Sequence, residues 1–174
     1  MNVNPILIPA IAEDGSLYPV EKLTAHADGL FHLAVSIFVF DGEYLLIQKR
    51  ATSKYHSGGL WANTCCTHPH WDEPTDLCAQ RRLQEELGFS VALSERRVVE
   101  YSADVGNGLH EHERVTMFVG SADRSALNIM PDPPEVEDTR WISRHALHAE
   151  IAAHPDRFTT WFRIYAERYP DLVL

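Results

Sequence analysis

The sequence predicts an α/β (α+β) fold, a mixed β-sheet sandwiched between helices. Strand-like runs rich in Val, Ile and Phe dominate the first two thirds, a well-delimited helix interrupts them at residues 74–88, and two more helical stretches close the chain. That order suits one sheet with helices on its faces.

His32 to Phe40 is the first strong strand signal. Asp41-Gly42 then supplies a tight-turn dipeptide and Glu43 to Gln48 continues as a partner, so the pair reads as a hairpin. Pro74-Thr75-Asp76 opens a helix with a proline, a capping side chain and an early acid. Ala79, Leu83 and Leu87 recur every four residues and Gly88 ends it. Further strands are expected at Val98 to Ala103 and Glu111 to Gly120. Met130-Pro131-Asp132-Pro133-Pro134 reads as a loop before a strand at Val136 to Ile142, and helices are expected at Arg144 to Ala153 and Thr160 to Tyr169. No repeat or linker divides the chain, so residues 1–174 are expected to form one domain. Its 45% hydrophobic content is enough for a core without disulfides.

Fifteen Lys plus Arg against twenty-five Asp plus Glu leave a formal charge of −10. This argues against broad binding of nucleic acid or anionic membrane, and a monomer or weak dimer is expected. A small anionic substrate would need local cations, for which Lys22, Lys49, Arg50, Lys54 and Arg82 are candidates, or a bound divalent metal. No run approaches ~18 apolar residues, and Met1-Asn2-Val3-Asn4 lacks a leader pattern. Three cysteines, two of them adjacent, make a poor disulfide framework, and a cytoplasmic location is expected.

Chemistry concentrates in Asn63-Thr64-Cys65-Cys66-Thr67-His68-Pro69, in Arg81 to Gly88 and in Leu109 to Arg114. In an extended segment alternate side chains share a face. Glu111, Glu113, Val115, Met117 and Val119 therefore line one side, and His110, His112, Arg114 and Thr116 the other. Two carboxylates roughly 7 Å apart on an apolar face need a cation. The same parity puts Cys66 and His68 opposite Cys65 and Thr67, and singles out Cys66 as the functional cysteine. His26 and His32 flank an expected loop-to-strand junction, and with His68 and the two glutamates they make up a three-histidine, two-carboxylate set. Such a set suits Mn, Fe, Co or Zn better than Mg alone. On the helix, Ala79, Arg82, Leu83 and Glu86 fall within one arc, so Arg82 and Glu86 border the buried stripe.

These motifs, in this order and spacing, together with Arg50 and Lys54, resemble type 1 isopentenyl-diphosphate isomerase, a branch of the Nudix superfamily. The resemblance runs from about Lys22 to Val119. The broader Nudix box aligns with Thr67 at its first glycine, Glu73 at its first glutamate and Arg81 to Phe89 at its end, with Arg82 in place of a hallmark glutamate. The resemblance implies a Nudix-like sheet and one divalent ion (Mn2+, Zn2+, Fe2+ or Mg2+) on His26, His32, His68, Glu111 and Glu113. It also implies Mg2+, bridged to the substrate diphosphate, on Glu86 and the backbone carbonyl of Cys66. Lys22, Arg50, Lys54 and Arg82 match diphosphate-binding positions, Tyr101 matches a tyrosine bonded to the catalytic glutamate, and Trp161 an aromatic facing a carbocation.

The implied reaction converts isopentenyl diphosphate to dimethylallyl diphosphate, an isoprenoid building block, by adding a proton at one carbon and removing another two carbons away. Glu113 would protonate the alkene and Cys66, as thiolate, would take the C2 proton, although the two roles can be exchanged. Two other readings are a Nudix pyrophosphohydrolase of nucleotide diphosphate derivatives and a non-catalytic isoprenoid- or metal-binding protein.

Overall fold

The computed structural model describes residues 5–173. Met1–Asn4, read above for a leader pattern, lies outside the described residues. The central strand is β3 (His32–Asp41), buried without a break from Ala34 to Phe40 because helices cover both of its faces. It turns at Gly42, whose φ of 55° suits a residue without a Cβ, into β4 (Tyr44–Arg50), with Phe40 opposite Leu45. The expected hairpin is present only near its turn, because the two strands then part. β4 goes on to pair with β5 (Trp61–Ala62) and β9 (Val136–Ser143). β3 instead takes β6 (Cys65–Thr67) antiparallel and β8 (Leu109–Ser121) parallel, and β7 (Leu93–Gly106) pairs with β8.

The strands expected at 98–103 and 111–120 are the middles of β7 and β8. The N-terminal hairpin of β1 (Leu7–Ile11) and β2 (Leu17–Glu21) was not expected at all. Pro9 and Pro19 stand opposite each other in it, and proline weakens any strand reading; β2 tolerates it as the sheet's outer strand.

Two helical layers enclose the sheet. α2 (Thr75–Leu87) packs Cys78, Ala79, Leu83 and Leu87 against Val35, Ile37 and Val39. It begins at Pro74 with no side-chain cap, a correction to the capping role expected near Thr75, and it ends at Gly88 in the left-handed region. α3 (Arg144–Ala153) and α4 (Thr160–Arg168) lie where expected, and α5 (Pro170–Val173) follows. α4 covers the other face, where Trp161, Phe162 and Tyr165 meet Phe38, Val99, Val115 and Met117. The loop at Met130 to Pro134 is tied down by Met130 N–H to Leu87 O and Asp132 N–H to Glu86 O, both 2.9 Å, which delivers Glu135 next to the end of α2.

Candidate active site

The period-two burial pattern of β8 is clear from Leu109 to Glu113 and gives way to continuous burial from Val115 to Phe118. Glu111 and Glu113 are buried and His110 and His112 exposed. His112 stacks on Phe31 and His110 lies 3.7 Å from Asp104, both on the outer side. Register then builds a row across the sheet, because Glu113 is opposite His32 on one side and Tyr101 on the other. Ser36 of β3 stands opposite Cys66 of β6, and the thiol enters the same layer as Glu113 while Cys65 is sealed against α2.

His26 reaches this row from α1 (Lys22–Ala27), a helix where a loop was expected. Six residues give no apolar period to read, and its cap is Glu21, whose carboxylate accepts from Leu23 N–H at 3.0 Å and Thr24 N–H at 2.7 Å. Backbone carbonyls then set the ring orientation of two histidines. His26 Nδ1 lies 2.7 Å from Lys22 O and His32 Nδ1 2.6 Å from Leu30 O. A carbonyl only accepts, so each Nδ1 carries the hydrogen and each Nε2 presents a lone pair to the pocket. His26 Nε2 is buried without any hydrogen-bond partner. The ring centres of His26, His32 and His68 are 4.9–5.0 Å apart, and Glu113 Oε1 stands 2.8 Å from His68 Nε2 and 3.4 Å from His32 Nε2. An orphaned lone pair among imidazoles and a buried carboxylate is what a divalent cation requires. The residues fit one.

Grouping by ligand atoms differs from the expected five-residue set. His26, His32, His68 and Glu113 form one group, while Glu111 joins His26 and His56 in a second. His56 was missed because it arrives on an irregular loop between β4 and β5. Gly58 lets that loop fold tightly, since a Cβ there would stand 2.5 Å from Thr52 O.

Tyr101 Oη is 2.7 Å from Glu111 Oε2 and 2.8 Å from Glu113 Oε2. One hydroxyl hydrogen serves one carboxylate at a time, so without an ion the other carboxyl must bring a proton of its own. Burial and the charge of Glu113 hold the Glu111 value well above the carboxylate range. Glu113, against the cost of its own burial, is held well below it by His32 and His68. The proton belongs to Glu111 and the charge to Glu113.

The Cys66 thiol is hydrogen-bonded on both sides. Its Sγ donates to Asn63 Oδ1 at 2.9 Å and lies 3.1 Å from Ser36 Oγ, which in turn is 3.1 Å from Tyr165 Oη. Burial outweighs these bonds and pushes the thiol up to about 12. In the ligand-free site burial favours the thiol over the thiolate.

Lys22, Arg50, Lys54 and Arg82 all line the pocket, as do Glu86 and Trp161. Burial and the nearby Lys54 and Arg82 push the Lys22 ammonium down to about 8. The Arg50 guanidinium lies 5.2 Å over the Trp161 ring. Arg82 is bonded to buried Glu86 one turn on, and Gln48 Nε2 donates to Glu86 Oε2 at 3.1 Å. Glu135, not anticipated from sequence, holds Lys54 Nζ at 2.5 Å and lies 3.3 Å from Arg82 Nη2. Only its position directly after Pro133-Pro134 hinted at a fixed location. Four cationic side chains thus face four carboxyl groups, Glu86, Glu113, Glu135 and the protonated Glu111. An entering polyanion upsets that near-balance unless cations accompany it.

Comparison with known proteins defines the class first: the NUDIX domain matches residues 30–162. A protein from Deinococcus radiodurans shares the fold with a TM-score of 0.72 at 16% identity, over 93% of this chain and 98% of that one. The isopentenyl-diphosphate Delta-isomerase of Cereibacter sphaeroides is 55% identical over 92% of this chain and 90% of its own length. That of Rhodobacter capsulatus is 53% identical over 96% and 94%. The chain belongs to the isopentenyl-diphosphate Delta-isomerases, a family built on the NUDIX domain.

Proposed function

We propose that the protein interconverts isopentenyl diphosphate and dimethylallyl diphosphate by moving one proton onto the substrate and another off it. The observation that carries this is the meeting of Cys66 and the Glu113–Tyr101 pair in one pocket, beside the Trp161 ring and four basic side chains. Lys22, Arg50, Lys54 and Arg82 take the diphosphate, and Glu86 with the Cys66 carbonyl would hold a Mg2+ that offsets its charge. This remote binding energy holds the alkene between acid and base. His26, His32, His68, Glu111 and Glu113 would hold a second divalent ion, Mn2+, Zn2+, Fe2+ or Mg2+, whose positive charge would keep both carboxylates ionised.

The protonation pattern favours one direction of proton flow. Cys66 starts as thiol and Glu113 as carboxylate. Cys66 then donates to the terminal alkene carbon, the tertiary cation sits against the Trp161 π face, and Glu113 takes the C2 proton. The opposite assignment, with Glu113 as acid, needs a prior exchange of protons between the two groups. A NUDIX-type hydrolase reading is disfavoured by Arg82, which places a guanidinium where hydrolytic chemistry leans on a further metal-binding carboxylate.

The 174 residues act as one catalytic domain. A cytoplasmic setting suits Cys65, Cys66 and Cys78, all free. Among the described residues no helix is long and apolar enough to cross a membrane. NMR of isopentenyl diphosphate with the protein and Mg2+ plus Mn2+ in deuterated water tests the reading. Deuterium appearing in dimethylallyl diphosphate is the expected result. Released phosphate would establish a hydrolase, and an unchanged spectrum a binder.

A further inference from the structure

We propose that His56 is a sixth protein ligand of the histidine–glutamate metal centre, so that the ion is enclosed by side chains and carries no bound water. The inference rests on the metal-site reading above and adds to it a residue outside the five-residue set.

His56 is 3% exposed, and its Nε2 stands 3.7 Å from Glu111 Oε1. Its ring centre lies 5.6 Å from that of His26, and its Nδ1 is 3.1 Å from Ser57 Oγ, which leaves Nε2 to face inward. The ligand atoms of His26, His56 and Glu111 all lie within 4.8 Å of one another, as do those of His26, His32, His68 and Glu113. His26 belongs to both groups, yet it has one lone pair to give, because its Nδ1 hydrogen is committed to Lys22 O. One lone pair serves one ion. The two groups are therefore halves of a single centre, gathered around His26 Nε2.

Four imidazoles and two carboxylates satisfy an octahedral divalent ion completely. Five ligands binding through one atom each would leave one position open to water, in a pocket that Tyr101, Trp161 and Cys66 also line and where a carbocation has to survive. His56 also makes a T-shaped contact with Trp161, ring centres 5.9 Å apart, so the imidazole that joins the ligand group packs against the cation-facing ring. A closed coordination sphere keeps a nucleophile away from the intermediate.

The experiment uses the purified full chain and Mn2+ alone. Pulsed EPR on protein carrying 15N-histidine counts coordinated imidazoles, water-proton relaxivity reports inner-sphere water, and titration gives stoichiometry and affinity. Wild type should bind one Mn2+ per chain with four histidine nitrogens and no exchangeable water. His56→Gln should show three nitrogens, one water and binding weaker by about tenfold or more. Three nitrogens or a bound water in wild type would overturn the role of His56 and leave the centre standing. Unchanged signals in His56→Gln would do the same, and the wild-type count decides even if the variant fails to fold. Two ions per chain would overturn the single centre, and no Mn2+ binding at all would remove the metal-site reading itself.

Discussion

Cys65 and Cys66 are adjacent in β6 and belong to opposite layers: Cys65 is wholly buried with Ala79 and Leu83 of α2, and Cys66 stands in the pocket against Ser36 and Asn63. Cys66→Ala should lower kcat/KM for isopentenyl diphosphate by at least about a thousandfold, because it removes a proton donor or acceptor for which nothing nearby substitutes. Cys65→Ala removes only buried sulfur and should cost about 1 kcal/mol of stability with activity kept within about tenfold. Equal activity losses in the two variants would show that the layer assignment does not govern the chemistry.

The hydrogen-bonded, buried thiol of Cys66 should be slow to ionise. Its folded value is raised to about 12, so the thiol form persists throughout neutral pH and thiolate grows in only well above pH 10. The ultraviolet thiolate absorbance of ligand-free wild type, minus that of Cys66→Ser, should be near zero at pH 8. Iodoacetamide should alkylate Cys66 more slowly than a free thiol. Substantial thiolate at pH 8 would return the base role to Cys66 and the acid role to Glu113.

Glu135 occupies the cations that the diphosphate needs. Lys54 and Arg82 both contact its carboxylate, and all three residues line the pocket. Substrate entry must therefore displace Glu135 from those partners. Glu135→Gln weakens the competing ion pairs by about 1 kcal/mol in total, so KM for isopentenyl diphosphate should fall about fivefold. A rise in KM together with a steeper Mg2+ requirement would instead mark Glu135 as a magnesium ligand beside Glu86.

What the sequence made legible is what local periodicity encodes. Alternation in β8 separates Glu111 and Glu113 from His110 and His112 without any tertiary information, and helical spacing puts Arg82 and Glu86 beside the buried stripe. The hairpin of β1 and β2 stayed hidden because Pro9 and Pro19 suppress strand propensity, while pairing with a neighbouring strand restores it. His56 and Glu135 lay beyond reach for a different reason. Both are set by where irregular loops are anchored: the first by the fold-back at Gly58, the second by the bonds from residues 130 and 132 to the end of α2. Side-chain protonation at Cys66 and Glu111 depends on burial, which no linear pattern expresses.

Metal removal should make the protein sensitive to mild acid. Burial lowers the folded-state values of His26, His56 and His68, that of His56 to about 3, against about 6.5 in an unfolded chain. A lowered histidine is bound into the fold as the neutral form, so its stabilisation is complete above about pH 6.5 and is lost as the pH falls below it. A histidine lowered as far as His56 costs about 1.4 kcal/mol per pH unit over that window. Glu111 acts in the opposite sense, since its raised value makes the folded state take up a proton before the unfolded state does. Three losses against one gain should leave the EDTA-treated protein less stable at pH 5 than at pH 7.5, with a lower Tm. Thermal melts of EDTA-treated protein at pH 7.5 and pH 5 should show this drop, and His56→Gln should shrink it by the share of one histidine. A Tm unchanged between the two pH values would mean that the imidazoles are not held neutral and that the cluster is not built to receive a cation.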